Sequence, residues 1–310
     1  MERPKPAHRA LPVLAILAVT LIWGLSFVSS KTILNAGVPP LTMVALRFLL
    51  TSAILGALLR AREPRNRVPA KAALPLAASG LAGVTLYFFF ESRGIRSTSA
   101  SHASLIIATI PVFTVAAESL IHGTRIRWLA AVGIALSVAG TVLLVRGSIA
   151  TGSLAGDLFM FGACLAWVAY NMLSRDLHRS LSDLAITAWQ AIVGTAALAL
   201  LALTERRFWV PLTVPVILHL VFLAVFSSAV GNFLYVYGLS RLGPSVVTPF
   251  LNLVPVVSAI GGAAMLGERL DAWQIAGGAV IVAGVVLVRW RRGGSGAGTA
   301  AATEGSSPPG

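Results

Sequence analysis

Two carboxylates fall within or beside long apolar runs, Glu91 in YFFFESRGI and Glu118 in VAAESLIH. An ionisable group in hydrocarbon is costly and tends to mark a substrate or ion path. Glu91 follows Tyr87 at i, i+4, which puts a phenol and a carboxyl on one strip of an otherwise aromatic helix. That strip suits the cationic part of a ligand or a coupling proton. The competing reading is a carboxylate that snorkels outward to Arg93 or Arg96. Glu118, four residues before His122, reads as the cytoplasmic end of its run. Asp157, Asp176, Asp183, Asp271, Glu205 and Glu268 all fall at the ends of runs.

Other polar groups recur at helical spacing. His102 lies among Ser99, Ser101 and Ser104, where an imidazole can bind substrate or relay protons or simply pack. Ser245, Thr248 and Asn252 form an i, i+3, i+7 stripe, equally suited to a cavity wall or to gluing helices together. Trp167 with Asn171, and Asn232 with Tyr235, add amides and aromatics that suit an amino-acid-like ligand. Trp23 and Trp167 offer apolar walls. Pro111 and Pro255 sit deep in apolar runs, where a lost backbone bond bends the helix and can shape a gate. His219 is a lone histidine with no such company.

These residues need a frame, and the apolar runs supply it. The chain has 310 residues, 56% hydrophobic and 11% charged, with a mean hydropathy of +0.84. Soluble chains carry about 25% charged residues. A hydrocarbon core about 30 Å thick needs roughly 20 apolar residues of helix. The runs at 11–30, 40–59, 73–93, 98–121, 127–146, 154–174, 184–203, 215–239, 244–266 and 272–290 meet that length. This predicts an all-α membrane protein of about ten transmembrane helices. Pro12, Pro40, Pro75, Pro215 and Pro244 mark where runs begin. Residues 1–10 form a cytoplasmic N-terminus, and 291–310, rich in Gly, Ala, Ser and Pro, read as a disordered cytoplasmic tail.

The net charge of +13 does not point to nucleic acid, because Lys and Arg sit between apolar runs rather than on one polar face. With the N-terminus inside, sixteen basic residues fall on the cytoplasmic side and seven opposite, with Arg47 inside the second run. That bias predicts an inner-membrane protein with both termini cytoplasmic.

A shift of 144 residues aligns the chain with itself. Trp23 falls on Trp167, Lys31 on Arg175, Thr51 on Thr195, Gly94 on Gly238, Ser101 on Ser245 and Pro111 on Pro255. The halves 11–146 and 154–290 then hold five runs each. An odd number forces the second half to enter the membrane the other way up, the inverted repeat with which secondary transporters build two opposed states. Gly133 and Gly140, with their counterparts Gly277 and Gly284, recur every seven residues and suit close packing between repeats or in a homodimer.

The stretch IWGLSFVSSK at 22–31, Arg47, SASHASLIIATIPVFT at 99–114, TPFLNLVPVVSAIGGAAMLGERL at 248–270 and the closing GGAVIVAGVVLV together resemble the EamA-type family of the drug/metabolite transporter superfamily. That resemblance implies ten helices in two inverted five-helix repeats around a central cavity, and export of amino acids or related metabolites. It names no single substrate. The family's Gly-Glu turn is intact at Gly267-Glu268-Arg269, but its counterpart reads Gly123-Thr124-Arg125. Glu268 is therefore expected to cap or anchor a helix end.

The rival classes find less support. No His-Glu-x-x-His motif or mid-run aspartate occurs, so an enzyme is not expected, nor a metal or other cofactor. No Walker-type loop is present, which leaves a proton gradient, an exchanged solute or the substrate's own gradient as energy source. A channel or receptor without coupled transport is the alternative to a carrier. The expected partners are a small polar substrate and membrane lipid. The single cysteine, Cys164, reads as a small packing residue.

Overall fold

The computed structural model describes residues 7–122, 154–174, 176–242 and 253–289, with scattered positions at 128–143 and 247–251. The described residues contain helices and turns and no strands. Six helices are long and apolar enough to cross a membrane. They are α1 (Ala7–Asn35), α2 (Pro40–Arg62), α3 (Ala70–Ser97), α6 (Leu154–Ser174), α7 (Asp183–Ala202) and α8 (Val214–Leu242). Shorter helices complete the frame: α4 (Ala100–Ile107), α5 (Ile110–His122), α9 (Val254–Leu266) and α10 (Ala272–Arg289). A further short apolar helix runs over Ala131–Gly140.

Apolar side chains cover both the inside and the outside of this bundle. Ile16, Phe48, Ile106, Met160, Leu198 and Leu223 are fully buried, whereas Leu11, Leu14, Leu74, Leu158 and Leu200 are exposed. In water such a surface would drive aggregation. In a bilayer it is the surface that lipid covers.

Each half packs through the other. The first helix, α1, lies against α8 and α9, while α6 lies against α3 and α4. The helix α2 runs along α7, joined by Ser52 Oγ to Thr195 Oγ1 at 2.7 Å and by the Thr195 hydroxyl donating to the Phe48 carbonyl at 3.1 Å. Small polar side chains of this kind let membrane helices approach closely.

Three departures from regular helix shape the interior. α3 contains a π-helical turn at Leu81–Leu86, and α8 contains one at Phe222–Val230. Shifting the first by 144 residues lands it inside the second. Such turns widen the helix and leave carbonyls open to other donors. The third departure corrects the expectation of continuous bent helices around the two prolines. The run 98–121 is two helices separated at Ala108–Thr109, and Pro111 is the second residue of α5. Pro255 stands equally early in α9. Proline is tolerated there because the first turn has no intrahelical acceptor to lose. α1 and α3 also begin one turn before Pro12 and Pro75.

Candidate functional site

The centre of the bundle is an aromatic box. Trp23 of α1 meets Trp167 of α6 edge to face, with ring centroids 5.9 Å apart. Tyr235 of α8 lies 5.1 Å from Trp23 and 6.1 Å from Trp167. Tyr87 of α3 closes the group at 4.9 Å from Trp167, and Tyr170 lies tilted against Trp167 at the same distance. Gly83 makes room for Tyr170, since a Cβ there would overlap the phenol ring. The Trp23 indole N–H donates to the Ser227 carbonyl at 3.1 Å, one of the carbonyls in the π turn of α8.

Beside the box sits a buried pair of opposite charges. The Tyr87 hydroxyl donates to Glu91 Oε1 at 2.9 Å. Arg47 of α2 donates from Nε to Ser228 Oγ at 2.6 Å and from Nη2 to Ser227 Oγ at 3.0 Å. Its guanidinium lies over the Phe88 ring at 4.6 Å, and its charge interacts with that of Glu91. Arg47 and Glu91 are 3% and 6% exposed, so both charges are held by protein rather than water. Arg93, a rival partner for Glu91, instead stacks over Phe89 at 4.6 Å. Arg96 is exposed.

The remaining residues singled out in the sequence fall in several places. Asn171 and Asn232 are half-buried on α6 and α8. Thr248 and Asn252 lie outside the described residues, as do the side chains of Pro111 and Glu118. His102 is not in the box. It is buried at the end of the bundle where α1 finishes, called the distal end below, with Nε2 2.9 Å from Asp157 Oδ1. Cys164 is buried and unpaired. Among the described residues no group of three or more His, Cys, Asp or Glu is placed to hold a metal.

Carboxylates join the two halves at helix starts. The left-handed Gly267 (φ 66°) ends α9 and turns Glu268 toward the start of α4. There it accepts from Ala100 N at 2.8 Å and from Ser101 N and Oγ at 3.1 and 2.6 Å. Glu205 accepts from Thr42 N at 2.9 Å at the start of α2, and Glu63 accepts from Ser182 Oγ at 2.7 Å at the start of α7. Lys31 donates to the Ile95 and Thr98 carbonyls at 3.0 and 2.6 Å, closing the end of α3.

The sequence matches the EamA-like transporter family twice, over residues 10–146 and 154–290. The chain belongs to that family. Its relatives include an "Uncharacterized transporter" of Archaeoglobus fulgidus, 31% identical and covering 88% of this chain and 95% of its own. The "Probable amino-acid metabolite efflux pump" of Salmonella typhimurium is 27% identical, over 87% of this chain and 92% of its own. A solved crystal structure shares the fold, with a TM-score of 0.65, 21% identity and coverage of 91% and 98%. This EamA-like protein is thus a multi-pass membrane transporter.

Sequence reasoning left two parts of the interior unassigned. It counted Arg47 but gave it no partner, and it set Asp157 aside as the end of a run. Asp157 is in fact 0% exposed. A mid-run arginine was itself a signal, since such a charge must find partners.

Proposed function

We propose that this chain is a secondary transporter that exports a small polar metabolite, an amino acid or related compound, across the inner membrane. It does so with ten transmembrane helices in two inverted five-helix repeats, both termini cytoplasmic, by alternating access. The observation that carries this reading is the convergence of equivalent residues at the centre: Trp23 and Trp167, 144 positions apart, form two walls of one box. The recurrence of π turns in α3 and α8 supports it, as do the relatives named as efflux pumps.

The box fits such a ligand chemically. Aromatic faces attract an ammonium group, and Glu91 supplies a negative charge at the edge. Arg47 and the two serines supply donors that suit a carboxylate. Asn171, Asn232, Tyr235, Thr248 and Asn252 extend the proposed lining, and the breaks before Pro111 and Pro255 are the proposed hinges of the gate.

Metabolite profiling of medium and cells, with and without overexpression, would identify the exported compound. Proteoliposomes preloaded with it should then show saturable counterflow. Flux that rises linearly without saturation would instead indicate a channel.

A further inference from the structure

The helices α2 and α7 are counterparts in the two family repeats, which begin at residues 10 and 154, and they lie against each other antiparallel. At the distal end Glu205 accepts from Thr42 N and Oγ1 at 2.9 and 3.2 Å, and Leu41 and Ala45 pack with Ala202. Midway, Ser52 Oγ lies 2.7 Å from Thr195 Oγ1, and the Thr195 hydroxyl reaches the Phe48 carbonyl. At the opposite end Glu63 accepts from Ser182 Oγ, and Leu55 and Leu59 pack with Leu184 and Ala188. Residue 42 meets 205, 52 meets 195 and 63 meets 182, so the interface runs the length of both helices.

Each helix is thus followed by a carboxylate that holds the start of the other. The two carboxylates are not counterparts. A shift of 144 residues puts Arg207 in the place of Glu63 and Ala61 in the place of Glu205. Different positions therefore supply the same lock at both ends, with charge-assisted hydrogen bonds, which are the strong kind.

Inverted repeats make two opposed states when the halves exchange conformations. A contact between two helices in one state then reappears between their counterparts in the other. For α1 and α9, which touch, the counterparts are α6 and the α4–α5 run, so that contact can be traded. For α2 and α7 the counterparts are α7 and α2. Exchange carries the link between 52 and 195 to residues 196 and 51, one position away on the same interface. It carries the link between 42 and 205 to residues 186 and 61, beside the lock between 63 and 182. The interface maps onto itself and is available unchanged in both states.

We propose that the α2–α7 pair is the fixed axis of the transport cycle. The other helices of the two halves rearrange around it, while Glu63, Glu205, Ser52 and Thr195 keep their partners. The assignment rests on the alternating-access reading above.

The test joins the pair covalently in a Cys164→Ala background. Ser52→Cys with Thr195→Cys places two sulfurs where hydroxyls now touch. Glu63→Cys with Ser182→Cys can be bridged by a short bis-methanethiosulfonate. A chain held at both levels should move its metabolite within about twofold of the reduced rate, since no step requires the pair to part. The comparison is Val28→Cys with Gly261→Cys across α1 and α9. A Cβ on residue 261 would stand 4.0 Å from that of Val28, the span of a disulfide. That bond should cut transport about tenfold or more, because it blocks the conformational step. A comparable loss in the α2–α7 form, restored by reductant, overturns the fixed axis, as does equal transport by both cross-linked forms. If the cross-links do not form, spin labels at Leu58 and Leu200, both exposed, decide the same point in liposomes without metabolite. One narrow distance sustains the axis, and two distances overturn it. A reduced protein that moves no metabolite but keeps that single distance overturns the exporter reading alone.

Discussion

Trp23 and Trp167 stand 144 residues apart in the chain and meet edge to face, with centroids 5.9 Å apart. Each belongs to the first helix of its half, and each of those helices packs on the third and fourth helical segments of the other half. The two indoles therefore report how the halves are joined. A change at one reaches elements of both.

Trp167→Ala should be among the most damaging single changes in the molecule. The indole is 8% exposed and touches Trp23, Tyr87, Tyr170 and Tyr235. Large-to-small truncations of buried aromatics cost about 3–5 kcal/mol. Thermal unfolding of purified protein should show that loss, whereas Trp167→Phe should keep most of the stability and still lower transport. Equal melting temperatures for Trp167→Ala and the parent would mean that the box is not a packed unit.

Orientation can be read with an impermeant thiol label. The native Cys164 is buried, so it contributes little background in intact cells. Cysteines at positions 65 and 179 should be protected, and those at 150 and 206 labelled. Labelling at 65 with protection at 206 would reverse the proposed topology.

What the sequence made legible depended on range. Glu91 and Tyr87 share one helix face at i, i+4, and their hydrogen bond at 2.9 Å follows from spacing alone. The tryptophan pair was reachable through the repeat. Arg47 and Ser228, 181 residues apart, were not, because helix rotation decides that contact and a π turn shifts the phase of α8 just where it occurs. Asp157 misled for a related reason. A residue in a helix's first turn looks solvated in sequence, but α6 begins against α4, so its first turn is already inside the bundle. The prolines were visible, but not the breaks preceding them, because proline suits a helix start as well as a kink.

The carboxylates that bridge the halves carry a stability prediction. Glu268 accepts three hydrogen bonds at the start of α4, and Glu205 accepts two at the start of α2. Loss of a helix N-cap costs about 0.5–2 kcal/mol. Glu268→Ala and Glu205→Ala should each lower the unfolding free energy by that order, read as a drop in the thermal midpoint. Their effects should add, because the capped helix starts belong to different helices. A double variant no less stable than either single one would show that the caps act as one unit.

Glu91→Gln separates charge from shape at the proposed ligand site. Glutamine keeps an oxygen that can accept from the Tyr87 hydroxyl, so the packing of the box should survive. What disappears is the negative charge facing Arg47, and with it the site's attraction for an ammonium group. A hydrogen bond to a charged partner is worth about 1.5–3 kcal/mol and a neutral one about 0.5–1.5. The stability loss from that bond should therefore stay near 1–2 kcal/mol. Transport of the profiled metabolite should fall at least tenfold, which corresponds to about 1.4 kcal/mol of lost binding. Tyr87→Phe leaves the charge and removes the donor, and it should weaken transport less. Initial rates per molecule in proteoliposomes, set beside melting curves, give both quantities. Near-normal transport by Glu91→Gln, in protein that reaches the membrane in normal amounts, would remove Glu91 from the site and leave it as the counter-charge that holds Arg47.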